Sequence, residues 1–346
     1  MDNDAAVILK VALDTPLRRV FDYRPPEGAA DTAGLRPGTR VRVPFGRRQL
    51  IGILVGVAEK SDLPAAKLRS AAAVIDDEPL LEPKLLELLG WAADYYHHPI
   101  GEVFAAALPA ALRKGQAARA RVEWWSVSKE GRTALTAERL RAPRQRALLA
   151  WLEGRGRATA EDIAAEFKPA QLKALAARSL VEATVEIPSY APIEIRPSEV
   201  TLNDAQARCV AAAIATLGSF AAHLLLGVTG SGKTEVYLRI IAEAVASGGQ
   251  ALVLVPEIAL TPQLVDRFRS RFGAGIVALH SGLTEAERRD AWRGAHEGQA
   301  RIVIGTRSAV FTSLPCLALI VVDEEHDASY KQHEGFHYSA RDVAVI

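Results

Sequence analysis

One octapeptide, Gly227-Val228-Thr229-Gly230-Ser231-Gly232-Lys233-Thr234, restricts this chain more than any other stretch. It fits G-x-x-x-x-G-K-[ST], follows the apolar run Leu224-Leu225-Leu226, and opens a helix-like segment over 233–246. A strand, a glycine loop and a helix in that order form a phosphate-binding loop. Gly227, Gly230 and Gly232 carry no side chain, so the backbone N–H groups around Thr229 and Ser231 can wrap a polyphosphate. The helix N-terminus adds partial positive charge, and Lys233 adds a full one. Thr234 supplies a hydroxyl for Mg²⁺.

The remainder of the C-terminal portion agrees. Apolar strand candidates at 223–226, 251–255, 276–279, 302–304 and 317–322 alternate with amphipathic helices, which implies a parallel sheet covered on both faces. Thr284 and Glu287 form a capping-box pattern. Leu319-Ile320-Val321-Val322 ends in Asp323-Glu324, at the strand end where ligands sit in open α/β sheets. Asp323 is expected to hold Mg²⁺ and Glu324 to orient or deprotonate an attacking water, which favours hydrolysis over transfer to an acceptor.

Composition excludes several classes. The chain has 346 residues, enough for roughly two or three domains. Its net charge of +1 announces no nucleic-acid binder by bulk charge. Cys209 and Cys316 are the only cysteines and make no CxxC, which argues against a disulfide scaffold or zinc site in this stretch and suits a reducing cytoplasm. The start lacks a basic n-region, and no apolar run approaches the roughly 18 residues of a membrane span. The last residues, 341–346, stop within a helical pattern, as expected of a fragment of a longer protein.

Before residue 200 the pattern is different. Residues 7–13, 19–23, 39–43 and 49–57 read as strands of a small sheet or barrel, and 83–96 as a helix with proline in its first turn. From Arg113 to Arg157 there are 12 basic and 4 acidic residues. Helical patterns at 143–152, 160–167 and 169–178, then a strand at 180–187, suggest a winged-helix module. Its basic bias suits DNA phosphate, and a solvated basic face or a protein-docking winged helix fits the same pattern. Pro188, Pro192 and Pro197 mark a linker. The expected organisation is a β-rich domain over 1–111, a winged helix over 112–187, a linker over 188–199 and a RecA-like α/β lobe over 200–346.

Taken in order, the P-loop, Val255-Pro256-Glu257, Thr261-Pro262-Gln263, His280-Ser281-Gly282, Thr306-Arg307-Ser308 and Asp323-Glu324-Glu325-His326 resemble the first-lobe motifs of superfamily 2 DNA helicases. Their wording resembles the bacterial replication restart helicases, the primosomal protein N′ family. Two further segments are similar to that family rather than to helicases at large. They are Trp91-Ala92-Ala93-Asp94-Tyr95-Tyr96-His97-His98 and Ser329-Tyr330-Lys331-Gln332-His333.

The resemblance implies ATP as the nucleotide, with Gln206 reading adenine. It places Thr261, Gln263, Thr306, Arg307 and Ser308 along a DNA path. Tyr330, Phe336, His337, Tyr338 and Arg341 match an aromatic-rich loop that couples DNA contact to hydrolysis, with ring faces suited to unpaired bases. The N-terminal portion resembles a domain that captures a nascent-strand 3′ end. Phe21 would stack on the last base, Asp22 accept from the free 3′-OH, and Gly46 allow close approach. Arg69 stands where the family usually has lysine. His97-His98 lacks metal spacing and reads as structural.

The family carries a second lobe, a cysteine-rich zinc module inserted in it and a C-terminal domain, so any zinc belongs outside this chain. The second lobe supplies an arginine to the phosphoryl site, so the chain alone is expected to hydrolyse little ATP. The implied function is 3′-to-5′ unwinding at abandoned forks followed by replisome reloading. Implied partners are forked and single-stranded DNA, single-strand-binding protein and helicase-loading proteins. A fork-binding scaffold with a non-unwinding ATP-gated core, or another superfamily 2 motor such as a restriction translocase, would share the nucleotide motifs.

Overall fold

The computed structural model describes residues 7–27, 35–118, 122–137, 142–186, 190–228 and 230–346. Thr229 and Pro188, named above, and Arg119, Arg121, Glu138, Arg139 and Arg141 of the basic stretch lie outside the described residues. The chain divides into two compact units, Met1–Ala118 with Tyr190–Ile346, and Arg119–Ser189.

The first unit begins with β1 (Ile8–Leu13), β2 (Phe21–Tyr23), β3 (Arg40–Phe45), β4 (Arg48–Ala58) and the short β5 (Ala73–Val74). They form one antiparallel sheet in the order β2-β1-β4-β3-β5, with a register shift between Lys10 and Val11 where β1 meets β4. Alternation works as the pattern predicts: Leu9, Val11, Leu13, Val41, Val43 and Leu54 share one core with Phe21 and Tyr23. Helices α1 (Pro83–Tyr95), α2 (Ile100–Ala106) and α3 (Ala110–Arg113) follow. A β carbon at Gly101 would lie 1.6 Å from the Leu13 carbonyl oxygen, so α2 can approach β1 this closely only with glycine there. Gly101→Ala is expected to cost about 1–3 kcal/mol or more by overpacking, read as a lower denaturation midpoint.

The second unit contains β6 (Val122–Val127), α4 (Lys129–Thr136), α5 (Pro143–Arg155), β7 (Arg157–Thr159), α6 (Ala160–Glu166), α7 (Pro169–Ala176) and β8 (Val181–Glu186). The helices expected from periodicity and the last strand all form. Strand β6 and helix α4 were not foreseen. They complete a winged helix by giving the antiparallel order β7-β6-β8, with α5, α6 and α7 closing over Leu148, Leu149, Leu152, Ile163 and Leu175.

The first unit resumes with α8 (Asp204–Ile214), α9 (Lys233–Ala246), β9 (Gln250–Leu254), α10 (Pro262–Phe272), β10 (Ile276–Leu279), α11 (Glu285–His296), β11 (Ile302–Gly305), β12 (Leu317–Val322) and α12 (Ala340–Val343). The four strands are parallel, in the order β10-β11-β9-β12. Ala251 and Val253 face α9 and α10 through Tyr237, Ile241, Val245, Phe268 and Phe272, whereas Leu252 and Leu254 face Trp292, Ala295 and Phe311. Both faces are therefore covered, as the unbroken apolar runs require. The Thr284–Glu287 capping box forms as its spacing predicts.

Two differences from the expectation have physical causes. Residues 223–226 form no strand: 221–228 is irregular, and Leu224 and Leu226 are 69% and 83% exposed. A four-residue apolar run is a strand only within a ladder, and β12 pairs with β9 alone. Second, residues 190–196 do not hang free as a linker. Glu194 and Arg196 donate backbone bonds to Phe272 (3.1 Å) and Arg271 (2.8 Å), and the Tyr190 hydroxyl donates to the Asp290 carbonyl at 2.9 Å. Residues of the β-rich part and of the α/β lobe also contribute to one shared hydrophobic cluster. Trp292 Nε1 donates to the Ala107 carbonyl at 3.0 Å, and Ser313 Oγ donates to Glu82 at 2.6 Å. Among the described residues, no helix is long and apolar enough to cross a membrane.

Candidate nucleotide and nucleic-acid sites

The P-loop opens α9 as its sequence demands. Gly230 and Gly232 have φ of 80° and 82°, a region that L side chains rarely adopt. Gly232 is doubly constrained, since a β carbon there would lie 2.5 Å from Gln206 Nε2. Gln206 sits against the loop: it donates to the Ser231 carbonyl at 2.9 Å, and its Oε1 accepts from Asn203 N–H in the capping box of α8. Lys233 Nζ donates to the Gly227 carbonyl at 3.0 Å and lies 3.4 Å from Glu324. It thus bridges the loop to the carboxylates after β12, a place that an incoming phosphate can take over.

Asp323 and Glu324 close β12 as expected. The Asp323 N–H donates to the Leu254 carbonyl at 2.9 Å, and the Glu324 N–H donates to Asp323 Oδ1 at 3.2 Å. Glu324 has φ of 47°, so its carboxylate leaves a left-handed turn toward Lys233. Burial raises the Asp323 pKa, and the Glu324 charge raises it further. Tyr237, one turn along α9 from Thr234, brings its hydroxyl within 3.5 Å of Asp323 Oδ2 and within hydrogen-bonding reach of Thr234. Two hard oxygen donors, Thr234 and Asp323, therefore gather beside the phosphate loop, a donor set that fits Mg²⁺.

The remaining helicase-like residues lie at the same carboxyl edge of the sheet. Thr261 caps α10, its side chain accepting from Leu264 N–H at 3.3 Å, with Gln263 exposed in the first turn. Thr306 follows β11 and is buried, Arg307 is half-buried, and Ser308 is exposed. Arg307 reaches toward the carbonyls of Ser329 and Lys331, each at 3.4 Å.

The aromatic-rich loop is folded inward. Tyr330, Phe336 and Tyr338 are 2%, 8% and 8% exposed, so their faces are covered by protein rather than offered to bases. Phe336 packs with Phe311, Tyr338, His98 and Tyr96, and Ser339 N–H donates to the Tyr96 hydroxyl at 3.3 Å. Large rings bury when a neighbouring aromatic surface is in reach, and the turn that follows α1 provides one. The Tyr330 hydroxyl lies 2.5 Å from the Asp323 carbonyl and 2.9 Å from that of Leu254, tying the loop to the carboxylate turn. His337 is exposed, and Arg341 pairs with Glu325 and Asp342. His98 pairs with Glu102 at 2.7 Å.

At the N-terminal pocket, Asp22 is already engaged. Lys10 Nζ lies 2.9 Å from it, and Ser61 Oγ donates to it at 2.5 Å. Phe21 is 8% exposed, meets Phe45 edge-on, and has the Arg19 guanidinium 4.7 Å from its ring centre. Gly46 has φ of 59° with open space at its β carbon, and Arg69 donates to its carbonyl at 3.1 Å. Phe21, Asp22, Gly46 and Arg69 thus come together around one end of the β sheet.

Residues 10–109 match the family described as 3′ DNA-binding domain, and residues 203–344 match DEAD/DEAH box helicase. The replication restart protein PriA of Haemophilus influenzae is 41% identical over 350 residues, covering 98% of this chain and 47% of that protein. Those of Bacillus subtilis and Chlamydia pneumoniae are 30% and 33% identical, covering 99% and 97% of this chain and 51% and 46% of theirs. The chain belongs to the PriA replication restart family. It spans about half the length of the curated PriA relatives it matches.

Sequence reasoning missed three residues at these sites: Lys10, Ser61 and Tyr237. Lys10 left a signal, as a lone charge inside an apolar strand. Ser61 left none, because 39 residues separate it from Asp22. Tyr237 reads as one more apolar position of an amphipathic helix.

Proposed function

We propose that the protein carrying this chain is an ATP-driven 3′-to-5′ DNA helicase that recognises abandoned replication forks by the nascent-strand 3′ end and begins replisome reloading. The supporting observation is the conjunction in one compact unit of a 3′ DNA-binding domain and a helicase lobe with Lys233 beside Glu324. Lys233 and the loop N–H groups hold the ATP phosphates, with Gln206 toward the base. Thr234 and Asp323 hold Mg²⁺, which supplies charge neutralisation at the phosphates, and Glu324 positions the water. Thr261, Gln263, Thr306, Arg307 and Ser308 line the DNA path. Tyr330, Phe336, Tyr338 and Arg341 form the element that passes DNA contact to Asp323 and Glu324 through the Tyr330 hydroxyl. Polarity, cytoplasmic location, and single-strand-binding and helicase-loading partners follow from the family resemblance. So does slow ATP turnover by this chain alone, which full DNA-stimulated turnover by residues 1–346 would overturn.

At the fork, Asp22 accepts the 3′-OH and Phe21, Gly46 and Arg69 shape the pocket. Fluorescence anisotropy at fixed salt, on a fork with a leading-strand 3′-OH at the junction, should show tighter binding than on the same fork with a 3′-phosphate. Asp22→Ala should remove a preference of roughly tenfold, the worth of one charge-assisted hydrogen bond. Equal affinity for both ends would refute 3′-end recognition.

A further inference from the structure

We propose that Tyr237 is a positioning residue for the magnesium site, its hydroxyl bridging the P-loop threonine and the carboxylate after β12 so that Thr234 and Asp323 face the same cation.

Tyr237 lies three residues beyond Thr234 on α9, so the two share a helix face. Tyr237 is 5% exposed and its ring stacks on Phe268, with centroids 6.3 Å apart and an interplanar angle of 24°. Packing on that ring fixes where the hydroxyl points. The hydroxyl then meets Asp323 Oδ2 at 3.5 Å and the Thr234 side chain. A phenol, with an ordinary pKa of about 10, is a donor at neutral pH.

The backbone of Asp323 is held by other groups. Its N–H is bonded to Leu254, and its carbonyl faces the Tyr330 hydroxyl. Its Oδ1 accepts the Glu324 N–H. Only Oδ2 faces Tyr237, so that contact governs the rotation of the carboxylate about its last bond. A carboxylate oxygen has more than one acceptor direction, which leaves room for a cation or its water beside the phenol. Without the phenol, a half-buried carboxylate repelled by Glu324 has a reason to turn away from Thr234.

Tyr237 can act this way only if the P-loop binds magnesium nucleotide, the reading given above. The test is binding of a fluorescent ATP analogue to this chain, titrated with Mg²⁺ and in its absence. Tyr237→Phe keeps the ring and its packing on Phe268. It should raise the Mg²⁺ concentration for half-saturation about threefold to tenfold, the worth of one hydrogen bond, and leave Mg²⁺-free affinity unchanged. In an Asp323→Asn background the same change should have no further effect, because Tyr237 works through that carboxylate. An unchanged Mg²⁺ requirement would overturn the proposal. So would an equal loss of affinity with and without Mg²⁺, which marks a packing role. A wild-type chain whose nucleotide binding ignores Mg²⁺ would instead refute the nucleotide-site reading itself, and the role of Tyr237 with it.

Discussion

Lys233→Ala should abolish ATP-dependent unwinding by the complete protein, with turnover falling on the order of a thousandfold, as when a preorganised donor to a developing oxyanion is lost. The ammonium already spans the two halves of the site, 3.0 Å from the Gly227 carbonyl and 3.4 Å from Glu324. With nucleotide bound, its charge serves phosphate, and no neighbour can replace it from inside the loop, where the other residues are small. Affinity of this chain for a fluorescent ATP analogue should fall roughly tenfold to a hundredfold, the range for a hydrogen bond to a charged group. Fork binding through the Asp22 pocket should survive, because the substitution lies in the P-loop and leaves the β sheet's residues intact. That split separates an ATP-driven motor from a fork-binding scaffold. If the complete Lys233→Ala protein still unwinds DNA, the motor reading of the P-loop is wrong.

The parts of this molecule that were legible in its sequence are those fixed by local rules. The P-loop needs glycine where φ is positive and a helix directly after, and both requirements show in the letters from Gly227 to Thr234. The buried strands β9 and β11 announce themselves as apolar runs because helices cover both sheet faces. Residues 223–226 carry the same signal and form no strand, since a strand also needs a partner edge and composition does not say whether one is at hand. The inward fold of the aromatic loop was hidden for a related reason. Phe336 and Tyr338 could face bases or protein equally well, and the choice falls to Tyr96 and His98 in the turn after α1, more than two hundred residues earlier in the chain. The Lys10 and Ser61 contacts to Asp22 likewise depend on tertiary placement, which alters the reading of that pocket: a 3′-OH would have to join or displace partners already present.

Removing Asp76 should destabilise the β-rich part by about 3–5 kcal/mol, because it strands a fully buried guanidinium. Arg40 has no exposed side-chain surface, and Asp76 very little. Arg40 Nε and Nη2 donate to the two oxygens of Asp76 at 3.0 and 2.7 Å, while Nη1 donates to the carbonyls of Leu112 and Gln116 at 2.5 and 2.9 Å. The guanidinium therefore ties β3 to the end of α3, and lysine, with a compact ammonium, could not make that fork of bonds. Asp76→Ala leaves the charge with only neutral carbonyls for partners. Arg40→Met leaves a nearly buried carboxylate held only by the backbone N–H of residue 40, at 2.9 Å, and should also destabilise. Combining Arg40→Met with Asp76→Ala removes both charges, so the double variant should be more stable than the sum of the single losses implies. Hydrogen exchange of β3 and β4 amides is the suitable readout, because the chain has two units and a single melting midpoint would blend them. Simple additivity would mean that the pair contributes no coupling and that β3 is anchored by packing alone. Since β3 ends at Phe45 and leads directly into Gly46, loss of the anchor should also loosen the turn to which Arg69 donates, and 3′-end preference should weaken along with amide protection.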